Sequence, residues 1–421
     1  MKITIVNKYF HLLGGPERYM FSLMDYLATQ GHEVVPFSIR NMQNQTSSYT
    51  RYFAPPVEEG KNRFSELSPS IGTTLRLASR AIYSTSAKQY FGQLLDAERP
   101  SVAYLLNIVN YLSPSVIDAA KQRGIPVIMR LSDYNLICGS HNMLRSGKAC
   151  EECLPNHYYR SVQHRCVHGS LIASAGRAIA MYYHSWTEVY RKVDAFVAPS
   201  LFMANMLVRA GYPHNRIHHI PTFVNTSSFN AQPEPGNYIL SYGRLAPEKG
   251  IETLIRAYAL LSSPPPLWIV GDSEGMERER LEALAQALDI RTIHFLGKRT
   301  GNDLTRIIMN AKFVVVPSVS YDNTPNTIYE SMSSGKAVVA SDIGGIPEQV
   351  NSETGLLFRP NDARDLANKM DVLLRNPTII RQMGSNARLT VEKKYTIQRH
   401  AEALMTLFQS VNSSNDEQIK L

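Results

Sequence analysis

Short β-branched runs recur along the chain, each followed by a turn and a stretch of helical apolar spacing. Ile3–Val6 is the first, a four-residue apolar run consistent with a buried strand. Leu13–Pro16 reads as a turn, and Tyr19–Thr29 carries apolar residues at helical spacing up to a stop at Gly31. Glu33–Ile39 is the next strand, and Val102–Ile108 another. Ser113 and Pro114 read as an N-cap and a first helical position, with that helix stopping at Gly124. Pro126–Leu131 and Ala195–Ala198 complete the first set of strands. Strands alternating with helices predict βαβ units and parallel sheets.

The second half repeats the plan. Its strands are Tyr238–Tyr242, Leu267–Val270, Ile293–Leu296, Phe313–Val316, Ala337–Ala340 and Gly355–Phe358, with helices such as Gly250–Leu261 and Met276–Leu288 between them. Pro221–Asn237, rich in Pro, Ser, Asn and Gly, reads as a linker. The expectation is two α/β domains, 1–220 and 221–394, facing each other across a ligand-holding cleft, with 395–421 a last helix crossing back to the first domain. Asn41–Ser70 is polar and proline-bearing and reads as a mobile loop. No shorter repeat underlies the duplication.

The 421 residues suffice for two or three domains, and 44% hydrophobic against 19% charged excludes a mainly disordered chain. No run approaches the roughly 18 apolar residues of a membrane span. MKITIVNKYF has too short an apolar stretch for a secretory signal, so the start reads as that of a cytosolic protein. The net charge of +8 is unevenly placed. Residues 1–200 hold 21 basic and 14 acidic side chains, hence +7, and the remainder 23 and 22, hence +1. A basic first half suits an anionic partner: a phosphorylated substrate, a membrane surface or nucleic acid. Lys/Arg blocks and basic stripes interleaved with aromatics, which nucleic-acid binding would require, are absent from the sequence.

Two segments carry candidate phosphate chemistry. In Ser241–Ile251 (SYGRLAPEKGI) a strand ends at Tyr242, Gly243 turns the chain, and Arg244 and Lys249 project near the strand's carboxyl end. Ligands of open α/β sheets bind at that edge, where a guanidinium and an ammonium can clamp a diphosphate. In Pro317–Ser341, Asp322, Asn323, Thr324, Pro325 and Asn326 form a loop, and a helix from about Asn326 carries Glu330 and stops at Gly335. Free N–H groups at such a helix start attract phosphate, and carboxylates there accept sugar hydroxyl protons. Gly14 and Gly15, between the first strand and the first helix, could present a similar anion-attracting turn. Each segment alone also suits an ordinary solvated loop or a capped surface helix.

Taken together these residues resemble the GT-B glycosyltransferases, specifically family four, the retaining group 1 type. The family segment G-R-L-x-x-x-K-G is matched by Gly243, Arg244, Leu245, Lys249 and Gly250. Its two acidic residues separated by seven positions are matched by Asp322 and Glu330, and Asp322-Asn323-Thr324-Pro325 is close to the Glu-Asn-x-Pro of one branch. The family's Gly-Gly turn is matched by Gly14 and Gly15, followed here by Glu17 and Arg18. There are two departures. Asp322 stands where Glu is usual, and Ser132 precedes Asp133 where many relatives carry a His that contacts the donor sugar.

The resemblance implies two Rossmann-like, doubly wound domains and transfer of a sugar from a nucleotide diphosphate-sugar to a lipid-linked or polysaccharide acceptor in cell-envelope polysaccharide synthesis. Arg244 and Lys249 would stabilise the leaving diphosphate, and Glu330 would hold the ribose. Asp322 and the amides of Asn323, Thr324 and Asn326 would hold the sugar, with Lys298 beside the base and Gly243 and Gly15 on the donor side. Gly14, Glu17 and Asp133 would lie on the acceptor side. No catalytic cofactor is implied. Alternatives are a sugar-nucleotide epimerase of the same fold, an inactive relative, or a basic nucleic-acid-binding protein on a duplicated α/β scaffold.

All four cysteines cluster, Cys138, Cys150, Cys153 and Cys166, and the inner pair has the CxxC spacing of a zinc knuckle. Structural zinc, free thiols and disulfides are the three readings, zinc being favoured because a long polar loop needs a staple and a cytosolic chain argues against disulfides. Some relatives carry a similar cysteine-bearing insertion. Arg76, Arg80 and Lys88 lie among Leu75, Leu77, Ile82, Tyr83, Tyr90 and Phe91, so a basic amphipathic helix could lie on an anionic inner-membrane surface, or equally face the core.

Overall fold

The computed structural model describes residues 1–57, 79–109, 111–229, 231–232, 234–273 and 275–419. Two parallel six-stranded sheets dominate it. The first contains β1 (Lys2–Asn7), β2 (Glu33–Phe37), β3 (Val102–Asn107), β4 (Val127–Arg130), β7 (Ala195–Ala198) and β8 (Ile217–His219), in the order β2-β1-β3-β4-β7-β8. A small antiparallel ribbon, β5 (Leu144–Arg145) with β6 (Lys148–Ala149), lies in the cysteine loop. The second large sheet contains β9 (Tyr238–Tyr242), β10 (Leu267–Val270), β11 (Ile293–Phe295), β12 (Ala311–Val316), β13 (Val338–Ser341) and β14 (Gly355–Phe358). Its order, β11-β10-β9-β12-β13-β14, is that of the dinucleotide-binding doubly wound fold, with the switch point between β9 and β12. The α/β expectation holds for both halves.

The continuous apolar runs follow from helices covering both faces of each sheet. In the first sheet Ile3, Ile5, Val102 and Tyr104 enter one core, while Val6, Ala103 and Leu105 enter the core on the opposite face. In the second, Ile239, Phe313, Val315 and Val339 point to one side, and Leu240, Val314, Val316 and Val338 to the other. The helix Ile397–Ile419 returns to the first sheet, where Ala401, Leu404, Leu407 and Phe408 share a core with Ile3, Ile5, Met20 and Tyr104.

Three local expectations change. Residues 41–57 of the supposed mobile loop are ordered: Ser48–Tyr52 is a 3-10 turn capped by the Ser47 hydroxyl, Ala54 bridges to Ile39, and Phe53 is fully buried. The remainder, 58–70, lies outside the described residues. Ser113 adopts a left-handed φ of 59°, and the helix begins at Ser115, whose N–H donates to the Ser113 hydroxyl. The proposed membrane helix lies partly outside the described residues (75–77), and its remainder is interrupted. A new helix, Thr85–Glu98, is capped by Ser84 and buries Phe91, Leu94 and Leu95 in the core, while Arg80 donates to Pro55 O. In the described portion the apolar side is the core-facing one.

His400 ties the chain's return crossing to the linker. Its Nδ1–H donates to Pro221 O (2.6 Å), so Nε2 accepts from Tyr19 Oη (2.7 Å). Burial pulls its pKa down to about 3, and that of His184 to about 4. The folded state therefore binds fewer protons than the unfolded one below an ordinary imidazole pKa. The stability these groups contribute is fully present above about pH 6.5 and is lost as pH falls toward their folded-state values. The melting temperature is expected to fall by several degrees between pH 7 and pH 4, and His400→Asn to flatten that slope. A slope identical in the variant would place the pH dependence elsewhere.

Candidate active site

The expected site residues converge on the switch point of the second sheet. β9 delivers Gly243 and Arg244, and the turn Pro247–Lys249 leads into the helix Ile251–Tyr258. β12 delivers the loop from Pro317 to Pro325, and the helix Asn326–Ser333 follows, with no side chain capping its start. Lys249 Nζ lies 2.5 Å from Asp322 Oδ2, which also accepts from the Ser318 hydroxyl at 3.0 Å. Arg244 is paired with Glu248. Both candidate diphosphate ligands therefore rest on protein carboxylates.

Glu330 is buried, one turn into its helix, and receives Arg18 Nη1 at 3.0 Å from the first domain. Burial raises the carboxyl's pKa, against the opposing pull of Arg18. Arg18 is mostly exposed, so releasing it from Glu330 costs little in desolvation of the guanidinium. The Gly-Gly turn closes the cleft here. A Cβ on Gly15 would lie 2.8 Å from Asn326 Nδ2, so any larger residue there would push the Asn326 side chain aside at the start of the second domain's helix.

Other candidates take different places. Glu17 is a buried capping residue whose carboxylate accepts from Gly14 N (3.0 Å) and from Asn7 Nδ2 (3.3 Å). It shapes the Gly14–Gly15 turn from behind. Asp133 accepts from both nitrogens of Asn135, which orders the loop after β4. The Asn323 side chain is buried between the domains, bonded to the Ser200 hydroxyl (2.5 Å) and donating to Leu131 O (3.2 Å). Its amide side chain thus serves the domain interface. Thr324 reaches Thr222 Oγ1 at 3.4 Å, and Lys298 is exposed just beyond β11.

Three contributors were not legible as site residues. Gly345 passes so close to the Asp322 loop that a Cβ would lie 1.8 Å from Asn323 O, and its N–H donates to Asp322 O. Its signal, a Gly-Gly pair after β13, resembles any tight turn. Glu348, a turn later, accepts from the first free amides of the helix Leu201–Arg209, Leu201 N and Phe202 N, both at 2.8 Å. One domain thus caps a helix of the other. His141 comes from the cysteine loop. It is open to solvent within the cleft, and desolvation by the walls, with Asp133, Arg177, Arg244 and Glu248 as the charges acting on it, lowers its pKa.

The cysteines gather but do not form a ready metal centre. All four line one cavity of about 20 Å³ with Ile137, Met143 and Leu154, and all are free thiols. Among the described residues no three His, Cys, Asp or Glu side chains are grouped as a metal ion would need in this arrangement. Burial pushes Cys153 up to about 11 and raises Cys166, so neither is a nucleophilic thiolate. The loop also reaches the second domain: Tyr321 Oη donates to Glu151 Oε1 (2.7 Å), and Asn361 Nδ2 to Gly147 O (3.0 Å).

Comparison with known proteins matches both halves. Residues 13–228 match the family model described as Glycosyltransferase Family 4, and residues 225–390 that described as Glycosyl transferases group 1. An uncharacterized glycosyltransferase of Haemophilus influenzae is 31% identical over 160 residues, 37% of this chain and 44% of that protein. The sulfoquinovosyl transferase SQD2 of Arabidopsis thaliana is 28% identical over 224 residues, 49% of this chain and 42% of that protein. The chain spans about half the length of the curated relatives it matches. Among solved structures, sucrose-phosphate synthase from Thermosynechococcus elongatus superposes with a TM-score of 0.71 at 20% identity, covering 98% of this chain and 99% of that one. HepE from Anabaena, in complex with UDP, gives 0.65 at 15% identity over 97% and 100%. Among the described residues no helix is long and apolar enough to cross a membrane. With two sheets of the GT-B plan and family models matching from residue 13 to residue 390, the chain belongs to glycosyltransferase family 4.

Proposed function

We propose that the chain moves a sugar, with retention of anomeric configuration, from a nucleotide diphosphate-sugar to a lipid-linked or polysaccharide acceptor of the cell envelope, working on the cytoplasmic side of the inner membrane. The observation that carries the reading is the pairing of Lys249 with Asp322 and of Arg18 with Glu330 at one sheet edge, opposite the Gly14–Gly15 turn. Lys249 with the neighbouring Arg244 matches the charge of a diphosphate, and the two carboxylates match the hydroxyls of sugar and ribose.

On this reading Arg244 and Lys249 exchange their carboxylate partners for the diphosphate and stabilise the charge that develops as the bond from the anomeric carbon to the phosphate oxygen breaks. Asp322, released from Lys249, accepts a sugar hydroxyl, helped by the amides of Asn323, Thr324 and Asn326. Glu330, released from Arg18, accepts the ribose hydroxyls, and Lys298 and Gly243 flank the base and phosphates. The acceptor oxygen attacks from the leaving-group face, and its proton passes to the departing phosphate oxygen. This balances the transfer with neither a metal nor a protein nucleophile. Asp133 and Gly14 lie on the acceptor side, and cleft closure limits hydrolysis.

A screen of UDP- and GDP-sugars by mass spectrometry, followed by NMR of the product's anomeric centre, tests the reading. Conversion of donor without acceptor into an epimeric nucleotide-sugar would favour the epimerase alternative. Thermal stabilisation by single-stranded DNA alone would favour nucleic-acid binding. The cysteine cavity carries a separate proposal, a structural zinc held by Cys138, Cys150, Cys153 and Cys166 after their side chains turn inward. Protein purified without chelator is expected to carry about one zinc per chain, tetrahedral with sulfur at roughly 2.3 Å. Four freely titrating thiols with no metal would leave the cysteines as packing residues.

A further inference from the structure

The first sheet has a switch point of its own, between β1 and β3, because β2 lies on one side of β1 and β3 and β4 on the other. Lys8 is the first residue past β1 and stands at that point. Its backbone is fully engaged. The N–H donates to Asn107 O (2.8 Å), and the carbonyl accepts from the Ser38 hydroxyl (2.9 Å) and from Ile39 N (3.4 Å). The residue is thereby fixed to the carboxyl ends of β2 and β3. The side chain is half-buried, with Nζ 3.9 Å from the centroid of the Tyr111 ring and 4.5 Å from that of Tyr9. Among the described residues the ammonium meets no carboxylate and no hydrogen-bond acceptor. The aromatic faces favour the cation without neutralising it. Burial lowers its pKa to about 8, against the pull of Glu17. Glu17 makes no ion pair with it and is spent on Gly14 N and Asn7 Nδ2. We propose that Lys8 binds an anionic group, a carboxylate or a phosphate, carried by the acceptor.

The other cations near the cleft are already occupied. Lys249 holds Asp322, Arg244 holds Glu248 and Arg18 holds Glu330. Arg130, at the end of β4, is buried without a carboxylate, but it donates to the Ser132 hydroxyl (2.9 Å) and to Thr222 Oγ1 (2.8 Å) and lies over the Tyr19 ring. Lys8 keeps three N–H donors and has none of these partners. A half-buried ammonium without an acceptor costs free energy that an incoming anion offsets, and no protein carboxylate has to be displaced first. The carboxyl edge on which it stands faces the second domain: Gly15 abuts Asn326, and Leu131 O accepts from Asn323. An acceptor lying between the sheets is therefore met by Lys8 from the first domain while the donor rests on the second. A neutral glycan would leave the ammonium unpaired, which narrows the acceptor to an acidic or phosphorylated one.

The assignment deepens the proposed transfer and rests on that reading for calling the bound group an acceptor. Its test follows two lysines in one sample. The full chain is trace-acetylated, and modification of Lys8 and of Lys249 is measured by mass spectrometry. Protection of Lys249 by UDP reports the donor site, so failure of the donor reading and failure of this one are told apart. With UDP saturating, glucuronate, inorganic phosphate or glucose is then added at matched ionic strength. Glucuronate or phosphate is expected to cut labelling of Lys8 roughly threefold or more, because an ammonium engaged by an oxyanion is no longer a free amine, and glucose to leave it unchanged. Protection by glucuronate alone assigns an acidic sugar, protection by phosphate alone a phosphorylated acceptor, and protection by both the oxyanion chemistry the two share. The protecting anion should also raise the melting temperature of the UDP complex in the wild type and in Lys8→Arg, and most of that increment should be lost in Lys8→Met. Equal labelling of Lys8 with all three additives, or an increment fully retained by Lys8→Met, would overturn the proposal.

Discussion

Lys249→Ala is expected to slow sugar transfer by roughly a hundredfold or more, the loss of about 3 kcal/mol of transition-state stabilisation typical of removing one preorganised charge from a closed cleft. The structure adds a second job for this ammonium, because it neutralises Asp322 at 2.5 Å when no diphosphate is present. The two roles separate by double substitution. If Lys249 served only to neutralise Asp322, Lys249→Ala combined with Asp322→Asn would recover activity. On the leaving-group reading the double variant stays slow, with donor affinity less affected than turnover. Near-normal turnover of the single variant would remove Lys249 from the catalytic set. Asp322 keeps the Ser318 hydroxyl as a partner and some access to water, so the fold is expected to survive the change.

Glu330→Gln is expected to act on binding. Charge-assisted hydrogen bonds to the ribose hydroxyls are worth about 1.5–3 kcal/mol, so the nucleotide dissociation constant should rise roughly ten- to a hundredfold with a smaller change in the chemical step. Burial raises the pKa of Glu330. Since the ionised form is the better acceptor, wild-type affinity should decline on acidification earlier than for an ordinary carboxylate, and the Gln variant should lack that limb. The sign for stability is opposite. A carboxyl whose folded pKa is raised costs stability as pH rises through that value, so the unliganded Gln variant should melt at or above wild type near neutral pH. Its partner Arg18 is mostly exposed and loses little by being freed. Calorimetry showing an unchanged dissociation constant would refute the role.

Strand positions in this chain are local properties. Tyr238–Tyr242, Leu267–Val270, Gly355–Phe358 and Ala195–Ala198 stand in the structure with the bounds their apolar runs suggested, because sheets buried on both faces demand unbroken β-branched runs. Arg244, Lys249, Asp322 and Glu330 were legible for a related reason: a doubly wound sheet sends every strand's carboxyl end to one edge, so residues just past strands meet. The capping contacts of Glu17 and the interface contacts of the Asn323 side chain had no signature of their own, since a carboxylate or an amide beside a glycine turn reads the same whether it caps a backbone or meets a ligand. Contacts between the halves had no local trace at all. That Arg18 faces Glu330, Glu348 caps a helix of the other domain and Ser200 holds Asn323 depends on how two separately periodic domains pack. The outward apolar stripe of Leu171–Trp186 is the sharpest case: helical periodicity marks an apolar face whether it is buried or exposed, and only the packing of Met181 and Ala178 on Tyr158 decides which side is left to the solvent.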